Sequence, residues 1–275
     1  MEDSVTSGRI HVVCPESVAG LLSREAAAFM AIYPQSRIDV SGATSAKAIR
    51  ELFGARADVA VLTRELASDE RAAAVRGRLE VEGYRVAGDA IVMVVPPTQA
   101  VENLSLEDVR RIYSGEATSW RRFGGPDLAV VPVAQPGNED LTEDFSQRVL
   151  GGEPIRAHSL AAGSDSEVVA EVLGHPGAIG YVTLGWAERG ARTQRISSLT
   201  GLPYWKPDLE AVYRNEYPMS RYVYLYIRTV AHPLANGFLT FVTSQDGQRI
   251  VREAGLVPTA VPVRFVRRSP MQDSH

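Results

Sequence analysis

The sequence predicts an α/β fold in which mostly parallel sheet is covered by helices. Three observations carry the prediction. Strand-length apolar runs alternate with loops and with segments whose apolar residues recur at helical spacing. The helical segments are punctuated by residues that start or stop helices, such as Pro34, Ser45 and Gly54. The chain has 275 residues, 45% hydrophobic and 23% charged, an ordinary globular composition with room for two domains or one large α/β domain. Strand–loop–helix alternation of this kind builds parallel sheets with crossover helices.

Residues 9–14 (RIHVVC) form the first strand. Residues 15–20 make a loop before a helix running through Tyr33, with Leu22, Ala26, Phe29, Met30 and Tyr33 on one face and Pro34 ending it. A second strand, residues 37–40, leads to Ser41-Gly42-Ala43-Thr44-Ser45. Ser45 is the expected N-cap of a helix with Ile49, Leu52 and Phe53 inward and Gly54 at its end. The third strand, residues 58–62, runs into Thr63-Arg64-Glu65-Leu66, and a further helix follows Ser68. Ligands of parallel sheets sit beyond the carboxyl ends of the strands, where loops enter helix N-termini. The loops at Glu16-Ser17, Thr44-Ser45 and Thr63-Arg64 are therefore expected to cluster.

Residues 86–96 form a long strand that leaves this first part of the chain, with Pro96-Pro97 as punctuation. Ser105 begins a helix with Asp108 three residues on, a capping-box start. Val109, Ile112 and Tyr113 face inward, and Gly115 stops the helix. Residues 128–133 are a buried strand, and Asn138 caps a helix bearing Leu141, Phe145, Val149 and Leu150. A helix spans 164–173, and residues 176–182 turn into a strand. Residues 189–208 are loop-rich. A return strand at 223–227 and helices at 233–243 and 245–254 close the structured region, and the tail from Ser269 is expected to be disordered.

Charge and motifs narrow the function. A formal net charge of −4 argues against a nucleic-acid binder that works by phosphate neutralisation, and gives no support to an anionic membrane surface. No apolar run reaches the ~18–20 residues that cross a bilayer. The opening MEDSVTSGRI has no signal-peptide pattern, which leaves a cytoplasmic protein or an exported one whose signal has been removed. Cys14, the single cysteine, reads as a small buried hydrophobe. The five histidines lie far apart, without metal-ligand spacing, and His175 before Pro176 reads as a turn residue. Gly163-Ser164-Asp165-Ser166 is a helix N-cap rather than a nucleophile elbow, and no P-loop or dinucleotide fingerprint is present. Neither an enzyme, a cofactor nor a metal site is expected.

Residues 104–125, LSLEDVRRIYSGEATSWRRFGG, resemble the pattern L-T-x-E-Q-L-x-x-I-F-S-G-x-I-T-N-W-x-x-x-G-G of the phosphate ABC transporter substrate-binding proteins. PGAIGYV (176–182), YPMSRYVYL (217–225) and FLTFVTSQDGQRIVREAGLVP (238–258) agree in the same order; CPESVAGLL and DVAVLTREL fit more loosely. The resemblance implies a two-lobed type II periplasmic binding-protein clamshell, each lobe a mostly parallel sheet covered by helices. Lobe 1 would be residues 1–95 and 222–275 and lobe 2 residues 96–221, with crossings near Val95-Pro96 and Arg221-Tyr222 and hinge closure on a solute between the lobes. It also implies a periplasmic or extracellular protein, a small anion or polar solute as ligand, an ABC permease or another protein as partner, and no cofactor. A cytoplasmic location stays open.

The family's site residues carry over onto Ser17 and Val18 in the first loop, where Glu16 replaces the usual small hydroxyl residue. They fall on Thr44 and Ser45 in the second loop and on Thr63 and Arg64 in the third. The second-lobe pattern R-x-x-x-S-G-T-R-x-x-F, anchored on Phe145, places Gln135 at the first arginine, Glu139-Asp140-Leu141 at Ser-Gly-Thr, and Thr142 at the second arginine; Asn138 stands just before them. The charge-balancing arginine is missing and two carboxylates occupy the helix start. Loss of one partner from a buried ion pair costs about 3–5 kcal/mol. Three readings of Asn138-Glu139-Asp140 stay open: a well-capped helix without a ligand, a site rebuilt for a cationic or neutral polar solute, or phosphate held by Arg64, Ser45 and Ser17 in an altered pose. The expected function is a solute-binding protein resembling the phosphate-binding component of an ABC transporter, with a degenerate phosphate site. The alternative is a family member without small-ligand binding that acts as a protein-interaction or sensory module.

Overall fold

The computed structural model describes residues 3–136, 139–259 and 264–265. Two compact units are present: Met1–Gly88, Tyr222–Ala254 and Pro258–His275 in the first, Asp89–Arg221 and Gly255–Val257 in the second. The first unit opens with β1 (Gly8–Cys14), α1 (Glu16–Ile32), β2 (Ser36–Gly42), α2 (Ser45–Phe53), β3 (Val59–Leu62), α3 (Ser68–Arg76) and the start of β4 (Val81–Val95). The second holds the rest of β4, then β5 (Asn103–Ser105), α4 (Leu106–Tyr113), a 3-10 turn at Trp120–Phe123, β6 (Val131–Ala134), α5 (Glu139–Val149), β7 (Leu160–Ala161), α6 (Asp165–Gly174), β8 (Ala178–Thr183), β9 (Arg192–Thr193), β10 (Arg195–Ser197) and α7 (Leu209–Tyr213). The chain returns to the first unit through β11 (Ser220–Arg228), α8 (Pro233–Val242), α9 (Gln245–Glu253), β12 (Val257–Pro258) and β13 (Arg264–Phe265). The expected tail from Ser269 lies outside the described residues.

In the first unit β1 pairs in parallel with β2 and with β3, and β11 runs antiparallel to β3. The core is the apolar filling between this sheet and its helices. Val13, Ala48, Ile49, Leu52 and Leu62 join α2 to one face. Phe29 of α1 meets Phe238 and Phe241 of α8 edge-on, with ring centroids 5.9 and 5.6 Å apart. Residues 16–20, expected in a loop, are already helical. Pro15 holds the extended entry, Val18 N–H closes the first turn onto Pro15 O at 3.0 Å, and Val18 opens the buried stripe. Counting apolar spacing from Leu22 misses that first turn.

β4 starts at Val81, not near residue 86. The segment Val-Glu-Gly-Tyr-Arg has no strong strand pattern, and it is ordered by partners far away in sequence: Gly83 and Tyr84 pair with β13. Gly83 also lies under Tyr226, whose ring carbon would stand 2.3 Å from an added Cβ. The chain passes between units inside this strand, at Gly88/Asp89, rather than after it at Val95-Pro96.

In the second unit β8 pairs antiparallel to β4 and parallel to β6, and β6 is parallel to β7. β10, inside the loop-rich stretch, forms a separate parallel pair with β5. α4 has the expected capping box: Ser105 Oγ accepts from Asp108 N–H at 3.1 Å and Asp108 accepts from Ser105 N–H at 3.0 Å. Tyr113, Phe145 and Tyr181 form the aromatic centre, Phe145 stacked on Tyr181 at 4.2 Å and Tyr113 edge-on to Phe145 at 4.7 Å. The strand expected at 128–133 covers only 131–134, and Leu128 instead accepts the Trp120 backbone N–H at 2.9 Å. Trp120 is wholly buried and its indole N–H donates to Gly177 O at 2.9 Å. Among the described residues no helix is long and apolar enough to cross a membrane.

Two outcomes follow for stability. Trp120→Ala removes a buried ring and one of the two hydrogen bonds that Gly177 O accepts, the other coming from Val131 N–H at 2.9 Å; urea unfolding is expected to show a loss of about 3–5 kcal/mol. Glu25, on the buried face of α1, has no hydrogen-bond partner for either carboxylate oxygen among the described residues. Burial raises its pKa to about 8, against the opposing pull of Arg24. The folded state thus holds a proton that the unfolded state has released above about pH 4.3. Its contribution to stability is full below that pH and is lost as pH rises through about 8. Melting curves of Glu25→Gln across this range are expected to lose that decline.

Candidate functional site

The carboxyl ends of β1, β2 and β3 bring the three expected loops of the first unit together. Glu16 opens α1, and its carboxylate lies against Gly42 at the end of β2: an added Cβ there would stand 1.7 Å from Glu16 Oε1. Ser17 follows in the first turn with its Oγ buried, and Val18 is a core residue, 2% exposed. The second helix is capped by Thr44, not Ser45. Thr44 is extended and its hydroxyl accepts from Lys47 N–H at 3.3 Å, so Ser45 becomes the first helical residue. Ser45 is wholly buried and its Oγ accepts from Thr63 N–H at 3.4 Å, tying the second loop to the third. Thr63 is buried as well.

Arg64 does not stand alone beyond β3. It makes a bidentate pair with Glu70, at 2.7 and 2.8 Å, and also donates to Glu65 O at 3.0 Å. Glu70 in turn accepts from Ala67 N–H at 2.7 Å, closing the start of α3. Cys14, at the end of β1, is fully buried; burial first and Glu16 second push its thiol up to about 12, so it is an inert hydrophobe there.

In the second unit Gln135 follows β6 and is wholly buried. Its amide nitrogen donates to Asp165 Oδ1 at 2.7 Å and to Tyr181 O at 2.9 Å, and its backbone N–H donates to Tyr181 Oη at 3.0 Å. Thr142 Oγ1 donates to Gln135 O at 2.7 Å and lies 2.9 Å from Tyr181 Oη. Leu141 is buried core and Asp140 is half-buried in the first turn of α5. Asn138, expected as a cap and a ligand group, and the side chain of Glu139 lie outside the described residues.

Several polar residues of this region were given no buried role by the sequence. Asp165 opens α6 behind the Ser164 cap and accepts Thr183 N–H at 3.2 Å and Thr183 Oγ1 at 2.5 Å. Burial raises its pKa, opposed by the hydrogen bonds from Thr183 and Gln135. Asp89 accepts from Arg221 Nε at 2.7 Å and from Leu184 N–H at 3.1 Å, and Arg221 is 2% exposed. Burial alone would lower the Arg221 pKa; Asp89 and then Asp144 outweigh it and hold the guanidinium charged. Asp144 also pairs with Arg148 at 2.6 Å, and Arg148 reaches Ser220 O at 3.1 Å. The available signal was a lone carboxylate inside an apolar strand, GDAIVMVV, which demands a buried partner.

Two surface depressions avoid these loops. One of about 440 Å³ in the first unit is lined by Arg9, Ile10, His11, Asp39 and Asp58. Another, of about 500 Å³ in the second, is bordered by Glu102, Arg192, Arg195 and Lys206 among others.

A family model described as a PBP superfamily domain matches residues 2–246, and the chain belongs to that superfamily. Among curated proteins it is similar to the phosphate-binding protein PstS of Bacillus subtilis, 29% identical over 177 residues that cover 64% of this chain and 57% of that protein. It is also similar to PstS of Pseudomonas aeruginosa, 24% identical over 94% of this chain and 86% of the relative. Among solved structures, an ABC-type phosphate transport receptor from Vibrio cholerae superposes with a TM-score of 0.78, at 21% identity, covering 91% of this chain and all of that one. The fold is the type II periplasmic binding-protein fold, and the phosphate-receptor resemblance read from residues 104–125 holds.

The buried pair in the second unit supports a direct test. Arg221→Met leaves Asp89 charged and uncompensated, and urea unfolding is expected to show a loss of about 3–5 kcal/mol. The double variant Asp89→Asn/Arg221→Met is expected to recover a large part of it.

Proposed function

We propose that the chain is a solute-binding protein of the phosphate-receptor type that works without catalysis and binds phosphate weakly at best. Its partner in this reading is an ABC permease, and it works outside the cytoplasm. Kinship with phosphate-binding proteins supports the solute-binding part.

The observation that carries the weak-phosphate part is the environment of Gln135. The resemblance assigns this position and Thr142 to arginines. Both are neutral here, and both turn their polar groups inward, onto Asp165, Tyr181 and each other. An oxyanion gains from a helix start only when cations or free N–H groups face it. Among the described residues this loop presents an amide already donated to a buried carboxylate, and Asp140 in the following turn. The remaining arginine of the expected set, Arg64, is held in a bidentate pair by Glu70.

Isothermal titration of the wild-type chain with phosphate, sulfate, molybdate and cationic metabolites tests the reading. Phosphate is expected to bind with a Kd weaker than about 1 μM, while a neutral or cationic solute binds more tightly. Phosphate binding tighter than that would sink the weak-phosphate part. Failure of every solute to bind would favour the protein-interaction or sensory module.

A further inference from the structure

α1 and α2 begin at the carboxyl ends of two neighbouring parallel strands, β1 and β2. A helix start carries unpaired N–H groups and partial positive charge, so two such starts side by side attract an anion. In this chain a carboxylate stands beside them. Glu16 is the first residue of α1, and its carboxylate lies on Gly42, the last residue of β2 and the second before the Thr44 cap. A Cβ added at Gly42 would stand 1.7 Å from Glu16 Oε1 and 2.6 Å from the carboxyl carbon, so the side chain occupies the space over that backbone.

One residue further on, Ser17 Oγ is buried without a hydrogen-bond partner among the described residues. It is a hydroxyl at the same turn that a polar solute group could satisfy. The cations of these loops face other carboxylates: Arg64 is paired with Glu70, and Lys47 acts on Glu51 one helical turn along α2.

We propose that Glu16 is the specificity-determining residue of this loop cluster. Its carboxylate takes the place of an oxyanion at the paired helix starts and turns the site against anionic solutes, in favour of neutral or cationic ones. The proposal rests on the solute-binding reading given above. A dianion entering these loops would come within the Debye length of about 8 Å of a like charge, and would be repelled most at low salt. A neutral residue at the same position removes that repulsion and leaves both helix starts in place.

The test uses the near-isosteric Glu16→Gln, the small Glu16→Ser and the charge-conserving Glu16→Asp, each titrated with inorganic phosphate and with sulfate beside the wild type at low salt. Thermal melting without anions checks that each variant is folded. The Gln and Ser variants are expected to bind phosphate, sulfate or both about tenfold more tightly than wild type, with the gain shrinking as salt is raised. The Asp variant is expected to show no gain. A gain below about threefold in both neutral variants, including no measurable anion binding by any protein, overturns the proposal. Wild-type phosphate affinity tests the underlying reading separately, because it is measured before any substitution is made.

Discussion

Arg221 is buried with a charge that no solvent can stabilise, and Asp89 is the carboxylate that makes this tolerable. Much of the second unit's polar interior is arranged around that need. Asp89 uses its other oxygen to hold Leu184 N–H, and Asp165 holds the adjacent Thr183 N–H. Two buried carboxylates therefore pin the end of β8. The second oxygen of Asp165 takes the Gln135 amide, so the loop after β6 is fixed to the same framework. Such a network stabilises only when its members are satisfied together, and one missing partner leaves the rest costly.

That arrangement bears on ligand chemistry. An arginine at position 135 would meet Asp165 as an ion pair; the glutamine meets it as a neutral donor and adds no positive charge to the loop. Thr142 and Tyr181 close the remaining hydrogen bonds locally. In the first unit the balance moves the same way, with Arg64 paired to Glu70 and Glu16 added at a helix start.

How much of this could be read in advance differs by residue. Ser105 and Asp108 announce the start of α4, and Val109, Ile112 and Tyr113 announce its buried face, because capping and helical spacing are local. Ser45 was legible as a helix-start residue but not as a buried one. Its neighbour Thr44 has the freer hydroxyl and takes the cap, and Ser45 is drawn inward by Thr63 N–H eighteen residues on. The first five residues of β4 carry no convincing strand pattern, since their pairing comes from the far end of the chain. Gln135 could be aligned to a lost arginine from sequence, but its commitment to Asp165, thirty residues away, could not.

The sequence by itself determined the α/β class, the kinship with phosphate receptors, the positions of the loops and the absence of arginine at 135 and 142. These are properties of local spacing and of residue identity, which survive without coordinates. Tertiary structure alone decided which charges are engaged and by what. Asp89 with Arg221, Asp165 with Gln135, and Arg64 with Glu70 are such pairs, as is the Glu16 carboxylate lying over Gly42. The physical reason is that a charge's effect depends on its distance to other charges and to water, and chain order specifies neither for residues brought together by folding.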